Sequence, residues 1–481
     1  MSSVTPDSVS THETSSDLLE PKEDFDSGPP AKDSTKPDIP DISVLEDRMP
    51  GWFRSTRSFA AITTVLLVLF LYLNHRPLWH TDVWGHLSYG RAIWDSGLGV
   101  LYGDEPLMPL SKGVRFVDTA WLSQLIGYGV MEVFQEPGLQ MLFALAITTG
   151  MGILAWRFYQ RSRSTLVTLL GLGALLVVGW QQLFVNNPNF VLPSALIRPQ
   201  IAGWVCFVIL LSCLTARKWR TAYWGLIPAL FAVWTNLHGS FLVGLTLIGC
   251  FLVGRGIDIE RRTKKLGALF QDRWMRRYFL LLELSAVAVL LNPYGLQIYS
   301  AVLEVSSNPN MAGLIEWDPL TLRADQGQAL AFAALVLMFL YRWSPRRVQS
   351  SEVLSLIAFG GLTFYYSRFM VWLAPLVAYS MVLHGHAVLK RDRKRRPEPK
   401  PELRTSLNTV VCLGLLWIMF AFTPFSSHVL HGHEVKPSKT MGPLTPVAAT
   451  DVLNEMAEKD ELPPGLIFHS YEWGDYLLWK G

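Results

Sequence analysis

The sequence predicts an all-α integral membrane protein with about eleven transmembrane helices. Three observations carry that prediction. Half of the residues are hydrophobic and only 17% are charged, which is the composition of a chain solvated largely by lipid. Apolar runs that cross, or nearly cross, a bilayer recur along the whole chain. The basic residues between them fall in alternate loops.

The chain opens on a tail, residues 1–50, rich in Ser, Thr, Pro, Asp and Glu and nearly free of aromatics. Such a segment buries too little apolar surface to offset the entropy of ordering, so a disordered tail is expected. It lacks the short basic start of a secretory signal, and the first apolar run, Phe59 to Leu73, reads as a retained span. Residues 51–423 form the polytopic domain. Its spans are expected near 58–74, 138–156, 165–185, 200–216, 222–235, 240–254, 278–292, 329–342, 353–366, 369–386 and 406–423.

Loop charge sets the orientation. The loops after the second, fourth, sixth, eighth and tenth spans hold about 25 Lys and Arg, against about 7 in the others. The tail is then cytoplasmic, and an odd span number puts the C-terminus outside. The expected location is the cytoplasmic (inner) membrane. The net charge of +3 is small, and its basic clusters are a topology signal rather than a nucleic-acid footprint. Cys206, Cys213, Cys250 and Cys412 all lie in apolar runs, without zinc-ligand spacing.

Two outside segments are substantial. The first extracytoplasmic loop, 75–137, is expected to carry two short surface helices, Trp84 to Ser96 and Trp121 to Phe134. The second is 293–328. The final outside segment, 424–481, reads as a helix near Pro446 to Lys459 followed by a strand from Gly465 to Tyr471. A small α/β unit is expected there, cut short at Gly481.

Isolated polar residues gather on the outer side: His80, Asp82, His86, Arg198, Asn236, His238, Asn292, Glu316, Asp318 and Arg368. A membrane penalises such groups, so a one-sided collection suggests a site. Asp82 suits general-base work at the sheltered boundary, and it also suits the N-cap of the helix that follows. His80, Asp82 and His86 offer metal-ligand side chains, and the sequence does not commit to a metal. Asp104, Glu105 and Asp118 read as solvated loop carboxylates. Arg198 and Arg368 are cations on a face poor in them, fit to hold a phosphate bidentately or to snorkel. Asn236 and His238 flank a tight turn, where Asn236 fits a helix-end cap and His238 does not. Glu316 and Asp318 flank Trp317, an arrangement suited to a sugar ring or to an interfacial tryptophan.

Several motifs together resemble a group of bacterial polytopic membrane proteins. They are Asp-Val-Trp-Gly-His-Leu-x-x-Gly-Arg-x-Ile (82–93), Trp121-Leu-Ser-Gln, Arg198-Pro-Gln, Trp234-Thr-Asn-Leu-His-Gly, Asn292-Pro-Tyr-Gly and Tyr471-Glu-Trp-Gly-Asp-Tyr. Their architecture is similar to that of GT-C glycosyltransferases, over about residues 55–481. The resemblance implies transfer of a sugar from a polyprenyl-phosphate donor on the outer side of the membrane. It implies an essential acidic residue in the first outer loop, which Asp82 matches. Gly85 stands where relatives of this kind often carry a second tryptophan. On this reading Asp82 and His86 are the catalytic candidates, and Arg198, His238, Asn236, Arg368 and Glu316 the substrate-binding ones. A transporter or flippase of a lipid-linked glycan, or a non-catalytic protein of the same fold, is the alternative.

Overall fold

The computed structural model describes residues 47–79, 81–111, 113–185, 194–308, 314–393, 402–434 and 436–481. The expected disordered tail and His80 lie essentially outside them. Met49–Gly481 forms one compact unit.

Each of the eleven predicted apolar runs contains a helix. In chain order the helices are α1 (Arg57–Asn74), α2 (Val83–Ser96), α3 (Trp121–Ser162), α4 (Thr165–Gly179), α5 (Gln200–Leu214), α6 (Tyr223–Leu237), α7 (Phe241–Thr263), α8 (Ala268–Gln271), α9 (Arg273–Ala288), α10 (Gln297–Ser307) and α11 (Asp325–Trp343). They continue with α12 (Ser350–Tyr365), α13 (Met370–Arg393), α14 (Ser406–Ala421), α15 (Pro424–His431), α16 (Pro437–Thr440), α17 (Val447–Glu458) and α18 (Gly474–Lys480). Among the described residues, five helices are both long and apolar enough to cross a membrane, and a sixth span results if α14 and α15, bent by 76°, count as one. The protein is therefore a mostly helical, multi-pass membrane protein.

Local chemistry sets the helix ends. The Thr56 hydroxyl accepts from the Phe59 N–H at 3.1 Å and starts α1. Ser164 does the same for α4, and the Asp272 carboxylate accepts from Trp274 and Met275 to start α9. Lys264 and Gly432 turn left-handed to end α7 and α15. Two-residue strands tie distant helix ends together. β1 (Ser55–Thr56) pairs antiparallel with β4 (Arg404–Thr405), so α1 and α14 start side by side. β2 (Phe184–Val185) pairs with β3 (Ser194–Ala195) before α5.

The expected second surface helix is the first part of α3. It joins the following span through a kink at Gln135, whose φ is 53°, with Pro137 just beyond. The strand expected over Gly465 to Tyr471 does not form. Among the described residues no neighbouring strand offers a ladder there, and residues 465–470 run as irregular chain into a short 3-10 turn and α18. The C-terminal segment is helical, not α/β.

Two apolar cores result. The large one, among the long helices, buries Phe143, Phe158, Phe207, Phe231, Trp234 and Phe359. The smaller one joins the C-terminal end of the chain to the first loop. Trp84 on α2 meets Tyr476 edge-on at 5.1 Å, and Trp479 lies 6.4 Å away. Side chains such as Val68, Leu170, Leu335 and Val410 remain exposed on the long helices, as expected of surfaces that lipid covers.

The α2–α3 seam depends on one missing side chain. A Cβ on Gly90 would lie 2.3 Å from the Gln124 carbonyl oxygen and 2.8 Å from the Tyr128 Cβ. Backbone cannot yield as a flexible side chain can, so Gly90→Ala is expected to destabilise the fold by about 1–3 kcal/mol. Gly99→Ala, with nothing within 4 Å of its Cβ, serves as the control. Thermal unfolding of both variants in detergent checks this, and equal midpoints would refute it.

Candidate functional site

Asp82 stands at the junction between loop and α2 with φ 56° and ψ −57°, a conformation uncommon for a side chain other than glycine. Its side chain makes no capping hydrogen bond, so the N-cap reading does not hold. The backbone N–H of Asp82 instead donates to Asp475 Oδ2 at 2.7 Å. That leaves the Asp82 carboxylate free to pair with Arg198, whose Nε and Nη2 both reach Oδ2.

Arg198 is the centre of the site. Its Nη1 pairs with Glu316 Oε2, so one guanidinium holds two carboxylates. Glu316 Oε1 lies 3.6 Å from Arg368 Nη1 and bridges the two arginines. The Arg368 guanidinium sits 4.4 Å over the Trp317 ring. Ser367 fastens the two turns, donating from its N–H to the Asp318 carbonyl at 3.0 Å and from its hydroxyl to the Glu316 carbonyl at 3.1 Å. Asp318 is exposed and outside this cluster. The four charged side chains keep between 22% and 35% exposure, sheltered yet within reach of a ligand. Burial works against the Arg198 charge, but Asp82 and Glu316 outweigh it and raise its pKa. For Arg368 burial prevails over Glu316, and the pKa falls below the usual arginine value.

Two neutral histidines lie alongside. His86 Nδ1 faces the Gln124 amide nitrogen at 3.2 Å, and burial pushes its pKa down to about 4 against the pull of Asp82. His238 Nδ1 accepts from the Ser240 N–H at 3.1 Å. Burial, then Arg368 and His86, lowers its pKa to about 3. A neutral imidazole that accepts at Nδ1 carries its hydrogen on Nε2, so each ring is a hydrogen-bond donor rather than a cation.

Asn236 is committed to structure. Its Oδ1 accepts from Trp121 Nε1 at 2.9 Å, and its Nδ2 donates to the carbonyls of Ala232 and Leu291 at 2.7 and 2.8 Å. It pins α3 to α6 and to the turn after α9. Asn292 likewise donates to the Val289 and Gly295 carbonyls. Glu105 accepts from Tyr89 Oη and from the N–H groups of Leu107 and Met108. Asp118 is not solvated, as its loop position suggested. It is 4% exposed, and burial raises its pKa to about 7. Among the described residues, no group of three or more His, Cys, Asp or Glu side chains is placed to hold a metal.

Sequence reasoning missed Asp475 as a site residue. The signal was present in the Tyr471-Glu-Trp-Gly-Asp-Tyr motif, but nothing in the motif says that it folds back 393 positions onto Asp82. Gly85 belongs to the same contact, since a Cβ there would lie 2.9 Å from Asp475 Oδ1. A second tryptophan at that position is incompatible with Asp475 as placed. Tyr471 stands within electrostatic reach of Asp82, Asp475 and Glu316.

Beside the ionic cluster runs an apolar groove of about 200 Å³. Val83, Leu87, Ile126, Leu139, Leu142 and Ile197 line it, and Arg198 and His86 stand in its wall. The arrangement presents cations, a carboxylate and neutral donors at the edge of a lipid-compatible surface.

No protein-family model matches the chain, and no curated protein sequence does. Among solved structures, the chain is similar to the crystal structure of ArnT from Cupriavidus metallidurans bound to undecaprenyl phosphate. The TM-score is 0.46, the identity 15%, and the match covers 87% of this chain and 84% of that one. The functional reading rests on the residues of this chain alone.

His86 and Asp118 titrate in opposition. The His86 pKa falls from 6.5 to about 4, so the unfolded state binds more protons in that window and this contribution to stability rises with pH. The Asp118 pKa rises from 3.8 to about 7, so the folded state binds more protons and this contribution falls with pH. Between pH 4 and about 6.5 the two oppose each other. Relative to the parent, Asp118→Asn should therefore gain stability as pH rises from 4 to 7, and His86→Gln should lose it. Melting midpoints across that range test the signs; parallel curves for all three proteins would reject the assignment.

Proposed function

We propose that this protein is a glycosyltransferase of GT-C-like architecture, which moves a sugar from a polyprenyl-phosphate donor to an acceptor at the extracytoplasmic face. The eleven-span topology, with the N-terminus cytoplasmic and the C-terminus outside, belongs to the same proposal. The observation that carries it is the double position of Arg198, in the ionic cluster and in the wall of the apolar groove. A polyprenyl phosphate has that polarity: an apolar chain ending in an anion.

In this reading the lipid chain lies along the groove, and its phosphate meets Arg198 and Arg368. Glu316, which bridges these arginines, occupies an anion's position and yields part of it to the donor phosphate. The acceptor hydroxyl attacks the anomeric carbon, and its proton passes to the Asp82 carboxylate. The bond from that carbon to the phosphate oxygen breaks, and its electron pair leaves with the lipid phosphate. The arginines, with N–H donation from His238, stabilise the growing charge. Trp317, held under Arg368, offers a face for a sugar ring. Asp475 and Gly85 hold the Asp82 backbone in its left-handed turn.

The transport alternative receives less support, because the charged groups of the site gather at helix ends and in turns rather than at mid-span. Asp82→Asn should keep expression and membrane insertion while lowering sugar release from a polyprenyl-phosphate donor by about 100-fold or more. Release at the parent rate would remove Asp82 from the chemistry.

A further inference from the structure

A second cavity, of about 400 Å³, lies at the other end of the bundle. The fifteen-residue helix α5 links the two regions. Arg198 precedes its start and Thr215 follows its end, about 25 Å apart at 1.5 Å per residue. Five arginines line this second cavity: Arg161, Arg217, Arg255, Arg262 and Arg346. Among the described residues two carboxylates join them, Asp258 and Glu352, and both are engaged. Asp258 accepts from the Ser350 hydroxyl at 2.9 Å and lies 4.0 Å from Arg347. Glu352 accepts from Tyr341 Oη at 2.8 Å and lies 3.3 Å from His384 Nε2.

Of the five cations, Arg255 is matched by Asp272, at 2.6 and 3.0 Å. Arg161 donates to the Thr215 carbonyl, and Arg217 to the Arg161 carbonyl. No ion pair to a carboxylate forms at Arg161, Arg217, Arg262 or Arg346 among the described residues. Among the described residues the buried Nε donors of Arg161 and Arg346 find no hydrogen-bond partner. Buried guanidinium donors left unmet are costly unless an acceptor joins them. Phe251, Trp274, Leu376 and Leu383 add apolar side chains to a lining that is otherwise largely polar.

We infer that this cavity is a second binding site, for a phosphate-bearing ligand, at the end of the bundle away from Arg198. Several convergent guanidiniums suit the charge and the planar oxygen pairs of phosphates. The same chemistry serves an anionic lipid headgroup or a soluble phosphorylated molecule. The inference does not rest on the transfer reading, since it uses none of those residues.

The full chain, reconstituted in phosphatidylcholine nanodiscs, is titrated with inorganic pyrophosphate. A parallel series replaces part of the phosphatidylcholine with phosphatidylglycerol. Binding of either probe should raise the thermal midpoint. The double variant Arg217→Gln/Arg262→Gln changes exposed positions and should fold, yet it should weaken the effective probe by about tenfold or more. Arg346→Gln should weaken it as well. A response to pyrophosphate assigns a soluble phosphate, and a response to phosphatidylglycerol alone assigns a lipid headgroup. Arg163→Gln/Arg342→Gln removes two exposed arginines outside the lining and should leave binding unchanged. The inference is overturned if neither probe separates the parent from the lining variants, or if this control weakens binding equally.

Discussion

One guanidinium decides how the polar end of the bundle closes. Arg198 draws Asp82, from the start of the first loop helix, and Glu316, from a distant turn, onto a single point. At a membrane boundary such a group is tolerated only when paired, and the pairing fixes three chain segments at once. The turn before α2, the entry to α5 and the 3-10 turn at Glu316 are thereby held together. Arg368 extends the cluster through Glu316 and settles on Trp317. The site is thus held by charges that are themselves available to a ligand, and a bound anion would exchange partners rather than fill an inert hole.

A second layer of support comes from the far end of the chain. The α18 aromatics Tyr476 and Trp479 pack on Trp84, which places Asp475 against the backbone of Asp82. This contact resolves the apparent oddity of Gly85. The glycine is there because a carboxylate approaches it closely, and the same carboxylate satisfies the N–H of a residue in a strained turn. The C-terminal segment is accordingly a wall of the site and not a separate small domain.

The two ends of the molecule differ in how their cations are balanced. Around Arg198 the carboxylates are shared between arginines, and the cluster adjoins an apolar groove. At the opposite end the carboxylates of the cavity are taken up by Ser350, Tyr341 and His384, and several arginines line it. The first pattern suits an anion that comes and goes with chemistry beside it. The second suits a standing anion that completes the structure.

What the sequence determined by itself was where the long apolar helices lie and which polar side chains stand near their ends. Hydropathy and loop charge are sums over neighbouring residues, so the eleven apolar runs and the helix α2 were legible without any contact between them. Asp82, Arg198, Glu316 and Arg368 were legible as expensive residues at a boundary. Their partnership was not, because it joins positions 116 and 118 apart in the chain. Only the tertiary structure decided that Asn236 pins helices, that Asp118 is buried, that residues 465–470 find no strand to pair with, and that Asp475 reaches Asp82. Each of those outcomes depends on which distant group arrives at hydrogen-bond distance, and no local property of the chain encodes that.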